Sequence, residues 1–263
     1  MPEGHTIHRL ARDLNGSLRA ARVRAWSPQG RFHEGAAAID GRPLVNATAW
    51  GKYLFCDFGT DQLLHVHLGL IGKFRDRGAP APEVVGEIRL RLESPTATWD
   101  LSGPTRCALI DPAEHDRITA ALGADPLQRR PDVARARAKF AATDRAVGAV
   151  LLDQSVIAGI GNVYRAEILF LCGVHPARPA RSVSDAEFDL LWSETVRLMR
   201  IGVRLGRIVT TDPAEIGRPR SRMTQHDRLY VYHQERCRRC GEALHTLHLG
   251  GRPIGCCPTC QPA

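Results

Sequence analysis

Two Cys-x-x-Cys pairs near the end of the chain, Cys237-Arg-Arg-Cys240 and Cys257-Pro-Thr-Cys260, stand 16 residues apart. Four thiolates at this spacing close a tetrahedral zinc site, and a segment this short has too little apolar surface to hold its shape without such a staple. Cys256 adjoins Cys257, but using it would break the two-residue spacing to Cys260. Thiol–disulfide redox chemistry is the alternative, disfavoured by two neighbouring pairs in a basic tail. Five of the eight cysteines fall in the last 27 residues. A disulfide framework would be spread more evenly and would require an oxidising compartment. Cys56, Cys107 and Cys172 lie among apolar residues and are expected to pack as small hydrophobes.

Between the knuckles, residues 243–249 and Arg252–Cys256 flank Gly250-Gly251, a pattern that predicts a β-hairpin with a tight glycine turn. Arg252 then sits beside the tip of a metal-anchored hairpin. Taken alone it reads as a phosphate contact or a solvated charge.

Charge is distributed unevenly. Of the 36 basic residues only Lys52, Lys73 and Lys139 are lysines. Residues 1–120 carry 15 basic and 14 acidic side chains, whereas residues 121–263 carry 21 and 14. Codon bias accounts for arginine over lysine but not for this asymmetry. A basic half favours a polyanionic partner, because each cation docked on a phosphate releases condensed counterions.

A chain of 263 residues suggests roughly two domains at about 150 residues each. The longest apolar run, 146–152, falls far short of the roughly 18–20 residues a membrane span needs, and no hydrophobic leader follows Met-Pro-Glu-Gly-His. Ile7, Leu10, Ala11 and Leu14 recur at helical spacing within 3–15. From about 18 to 112 the pattern turns to short strands, with 52–58, 63–74 and 87–93 the clearest. In the last of these Ile88, Leu90 and Leu92 alternate with Arg89 and Arg91, predicting burial of one face. Residues 123–131 read as a linker. Helices are expected over 132–141, 144–152, 162–172 and 184–203, a loop at 213–219, and a small separate module after Leu229. The expected fold is therefore α+β and multidomain: an antiparallel β-sandwich, then a helical domain, then a zinc-finger β-hairpin.

At the other end, Met1 precedes Pro2, a context in which the initiator is removed to leave a free proline amine. An α-amino group titrates near about 7.7–8.0, so part of it is unprotonated at neutral pH. As a secondary amine it would condense with an aldehyde to a charged iminium, the electron sink of amine covalent catalysis. Glu3 is placed to move protons. Read without further context, Pro-Glu is equally the start of a helix.

Taken together, Pro2-Glu3-Gly4, Trp50-Gly-Lys-Tyr-Leu-Phe55, His67-Leu-Gly-Leu-Ile-Gly72, Asp153-Gln-Ser-Val-Ile-Ala-Gly-Ile-Gly-Asn-Val-Tyr-Arg165 and the tail ending Cys-Pro-Thr-Cys-Gln261 resemble the formamidopyrimidine-DNA glycosylase/endonuclease VIII family of base-excision repair enzymes. The opening Met-Pro-Glu-Gly-His-Thr is similar to the endonuclease VIII branch of actinobacteria. The resemblance spans essentially the whole chain, and its five elements in order are far more specific than any one of them.

The resemblance implies a bifunctional DNA glycosylase/AP lyase that acts on oxidised bases, pyrimidines above all, with DNA in a cleft between two halves. It implies domains at 1–122, 132–222 and 229–263, the middle one carrying a helix–two-turn–helix over 153–172. It implies Pro2 as the Schiff-base nucleophile, Glu3 as the acid at the sugar, Lys52 as a strand lysine at the lesion phosphate, and Arg252 as the arginine that grips those phosphates and assists δ-elimination. Leu70 is implied as the void-filling wedge and Asn162 as a phosphate contact at a helix start. A second wedge is implied near Pro104-Thr-Arg106. Cys237, Cys240, Cys257 and Cys260 are implied as ligands of one structural zinc. The expected setting is a monomer on damaged DNA in a bacterial cytoplasm, at the nucleoid, with no membrane partner. Thr6 departs from the pattern, since relatives often carry an acid there. The rival readings are a zinc-containing protein that binds damaged DNA without cutting it, and a metal-dependent nuclease.

Overall fold

The computed structural model of the chain describes residues 2–263; Met1, and with it the expected loss of the initiator, lies outside the described residues. The chain divides after Ala121 into two compact units.

The first unit runs α1 (Gly4–Leu18), β1 (Arg22–Trp26), α2 (His33–Ile39), β2 (Arg42–Pro43), β3 (Asn46–Trp50), β4 (Tyr53–Asp57), β5 (Leu63–His67), β6 (Lys73–Asp76), β7 (Ile88–Glu93), β8 (Thr98–Ser102), β9 (Arg106–Ile110) and α3 (Pro112–Ala121). Two sheets form, β2-β1-β7-β8-β6 and β3-β4-β5-β9, and their strand pairs are antiparallel. Leu54, Val66, Leu90, Leu92 and Leu101, drawn from both sheets, join one hydrophobic cluster with the stripe Ile7, Leu10, Leu14 and Leu18 of α1. This is the sandwich that the alternating pattern predicts.

Three details depart from expectation. Residues 63–74 are not one strand: β5 ends at His67 in one sheet and β6 begins at Lys73 in the other, so the chain changes sheets between them. In β7 Arg91 does not face water. It is only 2% exposed, because its guanidinium grips Asp100, directly opposite on β8, through Nε at 2.7 Å and Nη2 at 2.8 Å. A forked pair of this kind compensates a buried guanidinium. Helices α2 and α3 carry little periodicity to read, and α3 buries no residue at all.

The second unit contains α4 (Val133–Ala141), α5 (Val147–Val150), α6 (Asn162–Leu171), α7 (Asp185–Leu205), α8 (Pro213–Ile216) and the hairpin β10 (His245–Leu249) and β11 (Arg252–Cys256). Ser184 and Glu187 form a reciprocal capping box at the start of α7, and Gly206 ends it at φ 69°, both as helix-end chemistry requires. The loop expected at 213–219 begins as the short α8, which Asp212 caps and Pro213 opens. The helix expected over 144–152 contracts to the four residues of α5. Phe140, Val150, Phe170, Phe188 and Leu198 share one cluster with Cys237, Ile254 and Cys257 of the tail. The tail thus has no core of its own and borrows that of the helices. Among the described residues no helix is long and apolar enough to cross a membrane.

The stretch read as a linker is packed at its start. Leu122 to Pro126 are buried, Gly123 donates to the Gln154 carbonyl at 2.8 Å, and Ala158 donates to the Ala124 carbonyl at 2.9 Å. Gly-Ala-Asp-Pro therefore marks a change of direction under contact rather than slack. A Cβ at Gly123 would meet the Val156 carbonyl oxygen at 2.2 Å. Gly123→Ala should lower unfolding free energy by about 1–3 kcal/mol, as overpacking does; a denaturation midpoint equal to that of the parent would show that the segment yields freely.

Candidate functional site

In the first unit α1 carries the N-terminal residues and packs against β3 and β4. Each of its buried aliphatic side chains contributes roughly 1.5–3 kcal/mol, so the position of Pro2 and Glu3 is set by a well-anchored helix. Pro2 is half-buried and Glu3 fully buried. Glu3 occupies the position before the first helical turn in extended conformation, yet its side chain does not cap that turn. An acid at this position still favours the dipole of α1, as the helix-start reading expects. Next to it, burial pushes the His5 imidazole down to about 3, so it is neutral near pH 7. The Thr6 hydroxyl lies 3.2 Å from its Nε2. A neutral pair thus stands where relatives often have an acid.

Lys52, expected in a strand, lies in the turn joining β3 to β4, with Gly51 at φ 56° and Trp50 opposite Tyr53. A glycine followed by a polar residue between two aromatic strand ends favours a hairpin turn, so β4 starts at Tyr53, one residue later than the expected strand. Lys52 adds its charge to burial in lowering the pKa of His67 on β5, which places the ammonium beside that strand's end. The sheet-changing loop that follows holds Leu70 and Ile71 at 58% and 78% exposure. A Cβ at Gly72 would meet the Gly103 carbonyl oxygen at 2.9 Å, so this loop and the one at 103–105 lie against each other. Two exposed aliphatic side chains on a packed loop form an apolar point held out toward solvent, as a wedge requires.

In the second unit the four sulfurs of Cys237, Cys240, Cys257 and Cys260 lie within 4.8 Å of one another. Two of the separations are 3.9 Å and 3.4 Å. Tetrahedral zinc with Zn–S near 2.3 Å would hold sulfurs about 3.8 Å apart; the cluster could hold one metal ion. Cys256 is outside it, its sulfur 3.9 Å from His175 Nε2. β10 and β11 pair from His245 with Cys256 to Leu249 with Arg252, and Gly250 and Gly251 both take positive φ at the turn. Arg252 stands at the tip, as expected.

Two charged residues that sequence reasoning passed over control this hairpin. Arg165 and Glu167 on α6 are both 0% exposed. Two positions apart on a helix, they point roughly 200° apart. Arg165 donates through Nη1 to the Leu249 carbonyl at 2.7 Å and the Gly148 carbonyl at 3.0 Å. Its Nη2 donates to the carbonyls of Pro253 at 3.2 Å and Arg252 at 3.3 Å and also to Asn162 Oδ1. Asn162 in turn donates to the Pro253 carbonyl at 3.0 Å. The side chain expected at a phosphate is thus also a strut of the hairpin. On the other side Glu167 accepts the backbone N–H groups of Tyr230, Val231 and Tyr232, each at 2.8 Å, and the Thr210 hydroxyl. Burial pushes its pKa up while these four donors oppose that. Donors converging on both oxygens favour the carboxylate. Arg239 of the first knuckle lies over Phe170 at 4.8 Å, and Gln261 joins the second knuckle to the Val174 carbonyl at 2.9 Å. The signal for Arg165 and Glu167 was present: in Asn-Val-Tyr-Arg-Ala-Glu-Ile-Leu-Phe-Leu the two charges cannot share one solvent face.

Each unit thus gathers a part of the expected residues. Pro2, Glu3, Lys52 and Leu70 belong to the first; Asn162, Arg252 and the cysteines belong to the second. The formamidopyrimidine-DNA glycosylase N-terminal domain matches residues 1–117, and the formamidopyrimidine-DNA glycosylase H2TH domain matches 122–214. The chain belongs to the formamidopyrimidine-DNA glycosylase/endonuclease VIII family. It is 42% identical over 267 residues to endonuclease 8 1 of Mycobacterium tuberculosis, covering 99% of this chain and 100% of that one. It is 32% identical to the formamidopyrimidine-DNA glycosylase of Methylococcus capsulatus, over 93% and 90% of the two chains. These similarities place it with the endonuclease VIII branch, actinobacterial type. Its fold matches the Lactococcus lactis Fpg in complex with N7-benzyl-Fapy-dG containing DNA, with a TM-score of 0.82, 22% identity and complete coverage of both chains.

Removing the Arg165 fork leaves several buried carbonyls unpaired, each at about 1–3 kcal/mol. Arg165→Met should therefore destabilise the second unit by several kcal/mol and expose the 249–253 turn to proteolysis. Arg165→Lys should recover little, because one ammonium cannot span the same carbonyls. Proteolysis and unfolding profiles unchanged in both variants would remove Arg165 from this role.

Proposed function

We propose that this chain is a DNA glycosylase/AP lyase of base-excision repair that releases oxidised bases, chiefly pyrimidines, and then cuts the strand. The observation that carries the reading is the pairing, in a chain of this family, of a fully buried Glu3 directly behind Pro2 with a four-thiolate hairpin bearing Arg252. Endonuclease 8 and formamidopyrimidine-DNA glycosylase relatives across nearly the full length support it.

With the initiator removed, the Pro2 nitrogen attacks C1′ of the damaged nucleotide and the base departs with the bond electrons. Glu3 serves as the acid that opens the sugar ring and moves the protons. The resulting iminium withdraws electrons so that loss of a sugar proton expels the 3′ phosphate, and a second elimination expels the 5′ phosphate. Lys52, at its hairpin turn, and Arg252, at the zinc hairpin, hold the phosphates flanking the lesion. Leu70 enters the stack vacated by the extruded nucleotide, where an apolar wedge offsets part of an unstacking cost of a few kcal/mol. Asn162 adds a backbone contact at the start of α6, which positions DNA without reading sequence. One zinc ion on Cys237, Cys240, Cys257 and Cys260 is structural: four thiolates leave no open coordination position for substrate. This separates the reading from a metal-dependent nuclease.

Borohydride reduces an iminium to a stable amine, so incubation with oligonucleotides containing thymine glycol or an abasic site should give a covalent protein–DNA adduct. Replacing Pro2 should abolish both trapping and base release. Arg252→Ala should lose most processing of the oxidised base yet retain some trapping on abasic DNA, which needs no base extrusion, with fewer doubly eliminated 3′ ends. Binding to lesion DNA with no adduct on either substrate would favour the non-cutting damage-binding protein instead.

A further inference from the structure

Helix α7 buries Phe188, Leu191, Thr195, Leu198, Met199 and Gly202 toward the helical core. Its outer side carries Arg197, Arg200 and Arg204, and with Arg220, Val196 and Ile201 these line a cavity of about 730 Å³. Their pairing is uneven. Arg197 is held by Glu194, at 2.9 Å and 2.5 Å, whereas Arg200 has no ion pair among the described residues. The Nε of Arg220 is buried without a hydrogen-bond partner among the described residues. Burial lowers the pKa of Arg220, the charges of Arg197 and Arg204 lower it further, and Asp212 opposes them. The turn carrying Arg220 is held in place: Arg207 Nη2 donates to the carbonyls of Arg220 at 3.1 Å and Ser221 at 2.7 Å. A fixed pocket that concentrates cations against one another gains stability from a bound anion.

The spacing favours a particular anion. Arg197, Arg200 and Arg204 rise about 10 Å along the helix axis, about three steps of roughly 3.4 Å along a duplex axis, the reach of four successive phosphates of one strand. The groove also lies on the side of α7 opposite the face that the helix buries. α6 packs on β11 and on α7, and the arginine side of α7 is the side turned away from that core.

We propose that the arginine groove of α7 and Arg220 is a second phosphate-backbone site, which holds a DNA segment other than the one carrying the lesion. It rests on the reading of the chain as a DNA-repair enzyme. Such a site adds sequence-independent affinity and lets the enzyme pass between neighbouring stretches of DNA while it searches, since backbone contacts carry no base information.

The test compares the parent with Arg200→Ala/Arg204→Ala, two exposed positions outside the lesion machinery. Binding to an undamaged duplex of about 60 base pairs is measured against salt, alongside cleavage of a short abasic duplex of about 13 base pairs. Removing one arginine from a phosphate lowers the slope of log K against log salt by about 0.9. The double variant should therefore lose about two units of slope on the long duplex, so that from 50 to 200 mM salt the parent's affinity falls about tenfold more than the variant's. Cleavage of the short duplex should be unchanged, and Arg200→Glu/Arg204→Glu should weaken long-duplex binding further at equal melting temperature. An unchanged slope overturns the proposal and leaves the groove to an acidic protein surface. Equal losses on both duplexes overturn it too, by placing the groove within the lesion footprint. If the parent cleaves no abasic DNA, the repair reading falls while the slope still decides the groove.

Discussion

The structure turns on one helix with two buried charges. A fully buried arginine and a fully buried glutamate would each be costly by several kcal/mol if unpaired. On α6 they are compensated by backbone groups of the tail: carbonyls around the hairpin tip for Arg165, amides of residues 230–232 for Glu167. Satisfying both charges admits one placement of the tail on the helical core. The metal site then closes knuckles that are already docked, with Arg239 and Gln261 as further anchors. Arg252 inherits its position from this arrangement. A long, flexible cation gains catalytic use only when its carrier is held to within a fraction of an ångström.

The first unit follows a different economy. Pro2 and Glu3, the proposed nucleophile and acid, directly precede α1. The apolar stripe of α1, from Ile7 to Leu18, anchors that helix by burial against β3 and β4. Lys52 and Leu70 stand in turns at strand ends rather than within regular strands, and Leu70 is 58% exposed. The residues proposed for the chemistry thus stand at element ends, with packed layers behind them.

Much of this was legible in the residues. The four cysteines, the Gly-Gly turn and Arg252 beside it follow from spacing alone, and α1, β7 and α7 follow from apolar periodicity. What was not legible depends on partners distant in sequence. Arg91 reads as a solvent-facing position until Asp100 stands opposite it. Residues 122–126 read as slack because Gly and Pro punctuate both loops and tight contacts. α3 buries nothing and so leaves no stripe. The tail reads as a module of its own because its staple is local, whereas its core contacts come from α6. Asn162 was legible as a helix opener but not as a strut, since Pro253 lies 91 residues away.

The central claim is that α6, rather than the metal, fixes where the tail docks. Amide hydrogen exchange on the intact protein before and after chelation of zinc tests it most directly. The knuckle amides of Cys237 and Gly241, which bond only within their own turn, should lose protection when the metal leaves. The amides of Tyr230, Val231 and Tyr232 should stay protected on Glu167. Simultaneous loss of protection at both sets would contradict the account and make the metal the organiser of the whole tail.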